Sequence, residues 1–190
     1  DALCGRLGDA NAKVAAAAAR SAQGALRSCD ASSLEQAAHI VVPHVFGALA
    51  STTRPVQRGA SSCMDALAAR VPPQALVGPL VREAQHAPPR ARPEALRRLS
   101  GVISMALSRG GDGYGYGAAV VRGSSAIVRQ VASGCASLAV QVTKRDVAEA
   151  AKEVLRSLSR AVGAEAVVKE VETEARLSPA EVAKLRSVLG

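Results

Sequence analysis

Four times along this 190-residue chain a basic residue stands just ahead of a small or apolar run: Lys13-Val14-Ala15-Ala16, Arg54-Pro55-Val56, Arg92-Pro93-Glu94-Ala95 and Arg145-Asp146-Val147-Ala148. The four cations are 41, 38 and 53 positions apart. A period near about forty, with two helical stretches in each unit, marks a stacked helical repeat whose units bury their apolar faces against one another. Stacking places one basic loop per unit along a single edge. Such an edge suits an extended, acidic partner.

Composition supports helices and little else. The chain is 48% hydrophobic but only 2% aromatic, with Phe46, Tyr114 and Tyr116 and no tryptophan. A chain this apolar is not disordered by composition. An interior without rings fills with Ala, Val and Leu, and alanine is also the best helix former. Valine runs such as Ile40-Val41-Val42 sit inside longer helical patterns, so strand evidence is thin. The net charge of +8 favours nucleic acid, anionic lipid or an acidic protein surface, with a merely solvated basic surface as the plain alternative. Missing stacking aromatics and recognition motifs argue against nucleic acid. No signal peptide, transit segment or long apolar span argues for a membrane partner.

A pass along the chain predicts the elements. Residues 3–7 read as the tail of a helix, and Gly8 to Lys13 as a turn with Asp or Asn available as a cap. An alanine-rich helix is predicted from Val14 to Leu26. Ser32-Ser33 followed by Glu35-Gln36 resembles an N-cap with a capping box. The helix it opens, with Leu34, Ala38, Val42, Val45 and Leu49 at three- and four-residue spacing, contains Pro43, expected to kink it. Its partner spans Val56 to Ala69. Further helices are predicted at 74–86, 94–108, 118–142, 147–162, 164–175 and after Ser178-Pro179-Ala180-Glu181, a second capping box. Arg109 to Gly117, with five glycines, reads as a flexible insert whose two tyrosines anchor on a neighbouring repeat. The chain is expected to be a single array of about five repeats, the first truncated, over 1–190.

Enzyme chemistry lacks its ingredients. His39 and His44 are five apart on one helix, off the four-residue spacing of metal-binding pairs. No serine sits in a nucleophile elbow. Carboxylates cluster only at 146–181, alternating with Lys and Arg as on a solvated face. Cys4, Cys29, Cys63 and Cys135 have no CxxC spacing, so no zinc site is expected, and each is read as a buried free thiol. No catalytic residue, metal or cofactor is assigned.

The pattern resembles HEAT repeats, and within them TOG domains. Leu7-Gly8-Asp9-Ala10-Asn11-Ala12-Lys13-Val14 is similar to a second-repeat TOG loop, and Val142 to Ala151 to a late-repeat loop. The run Ala175 to Leu189 is most similar to the arrays of crescerin-type ciliary proteins and cytoplasmic linker-associated proteins. The resemblance covers about 3–189. It implies an all-α solenoid of stacked antiparallel helix pairs in a flat paddle. It further implies a non-catalytic domain that binds tubulin or the microtubule lattice through the loops inside each repeat. Carried over, those loops supply Asn11, Lys13 and Val14, then Arg54, then Arg90 and Arg92, then Lys144 and Arg145. A cytoplasmic, cytoskeletal setting follows from the resemblance, extending to a cilium or flagellum and its other proteins. The Gly-Tyr-Gly insert and the missing tryptophan, usual in the first-repeat loop, depart from the family. A HEAT scaffold for another acidic protein is the alternative reading, and a non-specific polyanion or RNA binder a third.

Overall fold

In a computed structural model the chain is described over residues 2–108, 125–174 and 177–189. Ten helices lie within these residues: α1 (Ala2–Arg6), α2 (Ala12–Ser28), α3 (Ala31–Leu49), α4 (Arg54–Ala68), α5 (Pro73–His86), α6 (Arg92–Ser108), α7 (Ser125–Val140), α8 (Arg145–Val162), α9 (Ala164–Glu174) and α10 (Pro179–Leu189). The described residues hold no strand. The expected glycine-rich insert at 109–117 and the start of the helix expected from Ala118 lie outside them.

Local chemistry sets the helix starts. Asn11 Oδ1 accepts from the N–H of Lys13 at 3.0 Å and caps α2. The cap of α3 is Asp30, which accepts from the N–H of Ser33 at 2.8 Å. The predicted cap at Ser32-Ser33 was therefore two residues late, because an acid just upstream has the stronger claim on the same orphan donors. Helix α3 runs through Pro43 without a break. Buried Val42, Val45 and Phe46 hold the turns around the proline in place. At α10 the capping box forms as read: Glu181 accepts from the Ser178 N–H at 2.7 Å, and Ser178 Oγ accepts from the Glu181 N–H at 3.4 Å. Gly163, at φ 91°, ends α8 and alone joins it to α9.

The helices pair and stack. α3 packs on α4, α5 on α6, α7 on α8 and α9 on α10, while short α1 packs on α2. Side by side, α3, α5, α7 and α9 form one layer, and α2 with α4 and α6 with α8 form the other. Short connectors make each pair antiparallel, so helices within a layer run the same way. The fold is an all-α solenoid of stacked helix pairs.

Small residues allow the stacking. α2 buries Ala15, Ala16, Ala18, Ala19 and Ala22. A Cβ added at Gly59 of α4 would come within 2.7 Å of the Ala19 Cβ, and the buried thiol of Cys63 donates to the Ala19 carbonyl at 3.2 Å. The same device joins α5 to α7, where a Cβ at Gly134 would meet Val81 at 2.5 Å. Between α4 and α6 the backbones stand further apart, and Arg98 spans the gap to Asp65 at 2.7 Å and Ser61 Oγ at 2.9 Å. Ser100 and buried Ser157 share a hydrogen bond at 3.0 Å between α6 and α8.

Gly59→Ala should lower stability by about 1–3 kcal/mol through overpacking, although alanine is the better helix former by about 1 kcal/mol. Gly101→Ala, where an added Cβ meets nothing within 4 Å, should instead raise it. Thermal melts of the two variants check this; a Gly59→Ala protein as stable as the parent would refute the close α2–α4 contact.

Candidate functional site: a basic loop edge

Because even-numbered helices run in one direction, the starts of α2, α4, α6 and α8 fall at the same end of the stack. The loops 7–11, 50–53, 87–91 and 141–144 that join the helices of each pair lie there. Asn11, Lys13, Val14, Arg54, Arg90, Arg92, Lys144 and Arg145 all belong to these loops or to the first turns that follow them. The structure therefore brings the sequence-predicted residues to one edge, in four successive groups.

They differ in what they offer. Lys13, Arg54, Arg90, Lys144 and Arg145 are exposed, and none makes a side-chain hydrogen bond or salt bridge among the described residues. Arg92 is half-buried, and its Nε donates to the Ala87 carbonyl at 2.9 Å. It fastens its own loop rather than reaching outward. Asn11 likewise spends its oxygen on the α2 cap. Val14 is an exposed apolar residue at 39% exposure, beside Lys13, and supplies a dry contact next to a charge.

The loops are tied down by polar bonds. Asp9 accepts from the Asn11 N–H at 2.8 Å and from the Arg6 guanidinium at 3.0 Å; these bonds hold its carboxyl below the usual carboxylate range. In the next pair Ser51 Oγ accepts from the Thr53 N–H at 3.1 Å, and Gln57 donates to the Ser51 carbonyl at 2.6 Å. The Ala91 N–H donates to the Pro88 carbonyl at 2.8 Å. Sequence reasoning named the cations but missed these anchors, of which Asp9 two residues before Asn11 was legible as an Asx turn.

Among the described residues no group of three His, Cys, Asp or Glu could hold a metal. No described helix is long and apolar enough to cross a membrane. The groove among α1, α2 and α3, about 260 Å³, is lined by aliphatic side chains with Cys4, Cys29 and Ser33 as its polar atoms. Cys29, expected to be buried, is exposed, because it sits at the C-cap of α2 beyond the packed face; Cys4 is half-buried. Burial pushes the thiols of Cys63 and Cys135 up to about 11 and about 12, which leaves them protonated and inert. His39, His44 and His86 are exposed.

A structure of crescerin, which uses a TOG domain array to regulate microtubules in the primary cilium, superposes with a TM-score of 0.71 at 18% identity, over 98% of this chain and 71% of the other. A second, from TOG–tubulin binding specificity that promotes microtubule dynamics and mitotic spindle formation, gives 0.57 at 16% identity over 98% and 64%. The fold is a TOG-like HEAT array. No protein-family model and no curated protein matches the chain. In the TOG-like array the predicted residues occupy the loops inside four helix pairs or the first helical turns that follow them.

One buried carboxyl lies off this edge. Glu83 of α5 is 7% exposed, and desolvation raises its pKa despite nearby Arg82 and His86. A raised folded-state value means that the protonated form is the one folding favours. Any penalty from the charged form therefore appears as pH rises through that value and vanishes below the ordinary glutamate range. Glu83→Gln should raise the melting temperature at pH above neutrality, with the gain shrinking to nothing in acid. Paired melts of variant and parent across pH test this; a pH-independent difference would refute it.

Proposed function

We propose that this TOG-like array is a non-catalytic binding domain that engages tubulin or the microtubule lattice through its basic loop edge. The observation that carries the reading is the alignment of Lys13, Arg54, Arg90, Lys144 and Arg145 at successive helix starts, exposed and without a side-chain hydrogen bond or salt bridge among the described residues. The fold likeness to domains described with tubulin and microtubules supports the choice of partner. Asn11 and Arg92 act as positioning residues: one caps the helix that presents Lys13, the other fastens the loop that presents Arg90. Val14 adds an apolar contact beside Lys13. A single exposed ion pair contributes on the order of 0.2–1 kcal/mol, so recognition needs several loops at once. The whole 190-residue chain then works as one array, on the cytoskeleton and, by the crescerin likeness, in a cilium.

Microtubule pelleting at low and moderate salt tests this. Lys13→Glu, Arg54→Glu, Arg90→Glu and Lys144→Glu together should weaken co-sedimentation at least about tenfold, and added salt should weaken the parent in the same direction. Unchanged pelleting of the quadruple variant would eliminate the edge mechanism. A pull-down recovering another acidic protein and no tubulin would favour the scaffold reading, in which the helical faces rather than the loops carry the contacts.

A further inference from the structure

The outward face of α2 carries a second set of cations. Lys13, Arg20 and Arg27 are seven residues apart and all exposed. That spacing sets them in file along the helix at intervals of about 10.5 Å. None forms a side-chain hydrogen bond or ion pair among the described residues. Ala17 and Gly24 lie between them, so no bulky side chain interrupts the file, and α2 contains no acid.

Helix α4 packs alongside and adds exposed Arg58, one turn below Arg54. The one acid of α4, Asp65, is engaged by Arg98 of α6. At the far end of α2 the guanidinium of Arg70 donates to the Arg27 carbonyl, so a further cation closes the file. The C-terminal half is different. There Glu149 meets Lys152, Glu153 meets Arg156 and Arg160, and Glu172 meets Arg186. Unpaired cations also stand at the loop edge, but α2 and α4 are the neighbouring helices on which Lys13, Arg20, Arg27, Arg54 and Arg58 meet no free acid.

We propose that this face binds an extended acidic peptide segment of a partner protein, laid along α2 from Lys13 to Arg27. On an extended polyproline II chain, with three residues per turn and about 3.1 Å rise per residue, carboxylates three residues apart share one face about 9 Å apart, close to the interval between the cations. Nucleic acid fits less well, since no described aromatic side chain is exposed for base stacking: Phe46 is fully buried. The proposal shares Lys13 with the loop edge and is tested at Arg20, Arg27 and Arg58, which lie outside that set.

Fluorescence anisotropy with a labelled peptide carrying glutamate at every third position, separated by glycine and serine, tests it. Arg20→Glu, Arg27→Glu and Arg58→Glu together should weaken binding at least about tenfold. A charge-matched control, Arg97→Glu with Arg160→Glu and Arg186→Glu, should weaken it less than about threefold. Reversing Arg90 and Lys144 at the loop edge should also leave it within about threefold. Equal losses in the test and control triples would overturn the proposal, because binding would then follow net charge alone. So would tighter binding of duplex DNA, single-stranded RNA or anionic vesicles than of the peptide. Circular dichroism on each variant ensures that a loss is read from folded protein.

Discussion

A connector of a few residues between two packed helices forces the chain to reverse, and most of this molecule follows from that reversal. Residues 50–53 alone join α3 to α4, and Gly163 alone joins α8 to α9. Once consecutive helices run antiparallel, helices two apart in sequence lie parallel and stack into layers. The starts of the even-numbered helices then have to share one end of the stack, whatever residues occupy them. Placing a cation at each start is enough to make a charged edge, with no long-range encoding required. The close approach that keeps the layers in register comes from alanine and glycine, as at Ala19 against Gly59.

The two halves of the array handle charge in opposite ways. From α8 onward acids and bases alternate and meet at the spacing of helical neighbours, so the surface is close to neutral over short distances. Over α2 and α4 the bases stand without acids, and the single exception, Asp65, is drawn toward α6 by Arg98. Self-repulsion among exposed cations costs stability, and in water it costs little when the charges are about 10 Å apart and screened by salt. A basic face of this kind is therefore tolerable to the fold and available to a partner.

How much of this was legible depended on how local the cause was. The capping box at Ser178 and Glu181 involves four consecutive residues, and the sequence displayed it completely. The start of α3 was misread because Asp30, Ser32 and Ser33 all carry cap chemistry, and only the helix register decides among them. The loop-edge cations could be named from the period near about forty, since the repeat itself imposes their alignment. Their inequality could not: Arg90 and Arg92 look alike in sequence, and only the fold of the loop around Ala87 turns one inward. The pairing of Arg98 with Asp65 spans 33 positions and two repeats, so nothing local announced it. The file of Lys13, Arg20 and Arg27 was present as a heptad, but heptads of charge gain meaning only when the burial of Ala15, Ala19 and Ala22 fixes which face is outward.

The anchoring of the loops decides what kind of binding the edge supports. Ordering a flexible loop on contact would consume roughly 1–2 kcal/mol for each residue fixed, more than one exposed ion pair returns. Here Asp9 with Asn11, Ser51 with Thr53 and Gln57, and Arg92 with Ala87 fix the backbone in advance. In these three loops only the outer side chains of Lys13, Arg54 and Arg90 remain to be ordered. With that cost reduced, weak contacts spaced along a rigid edge can sum to a useful affinity, and their spacing, set by helix packing, becomes the source of specificity.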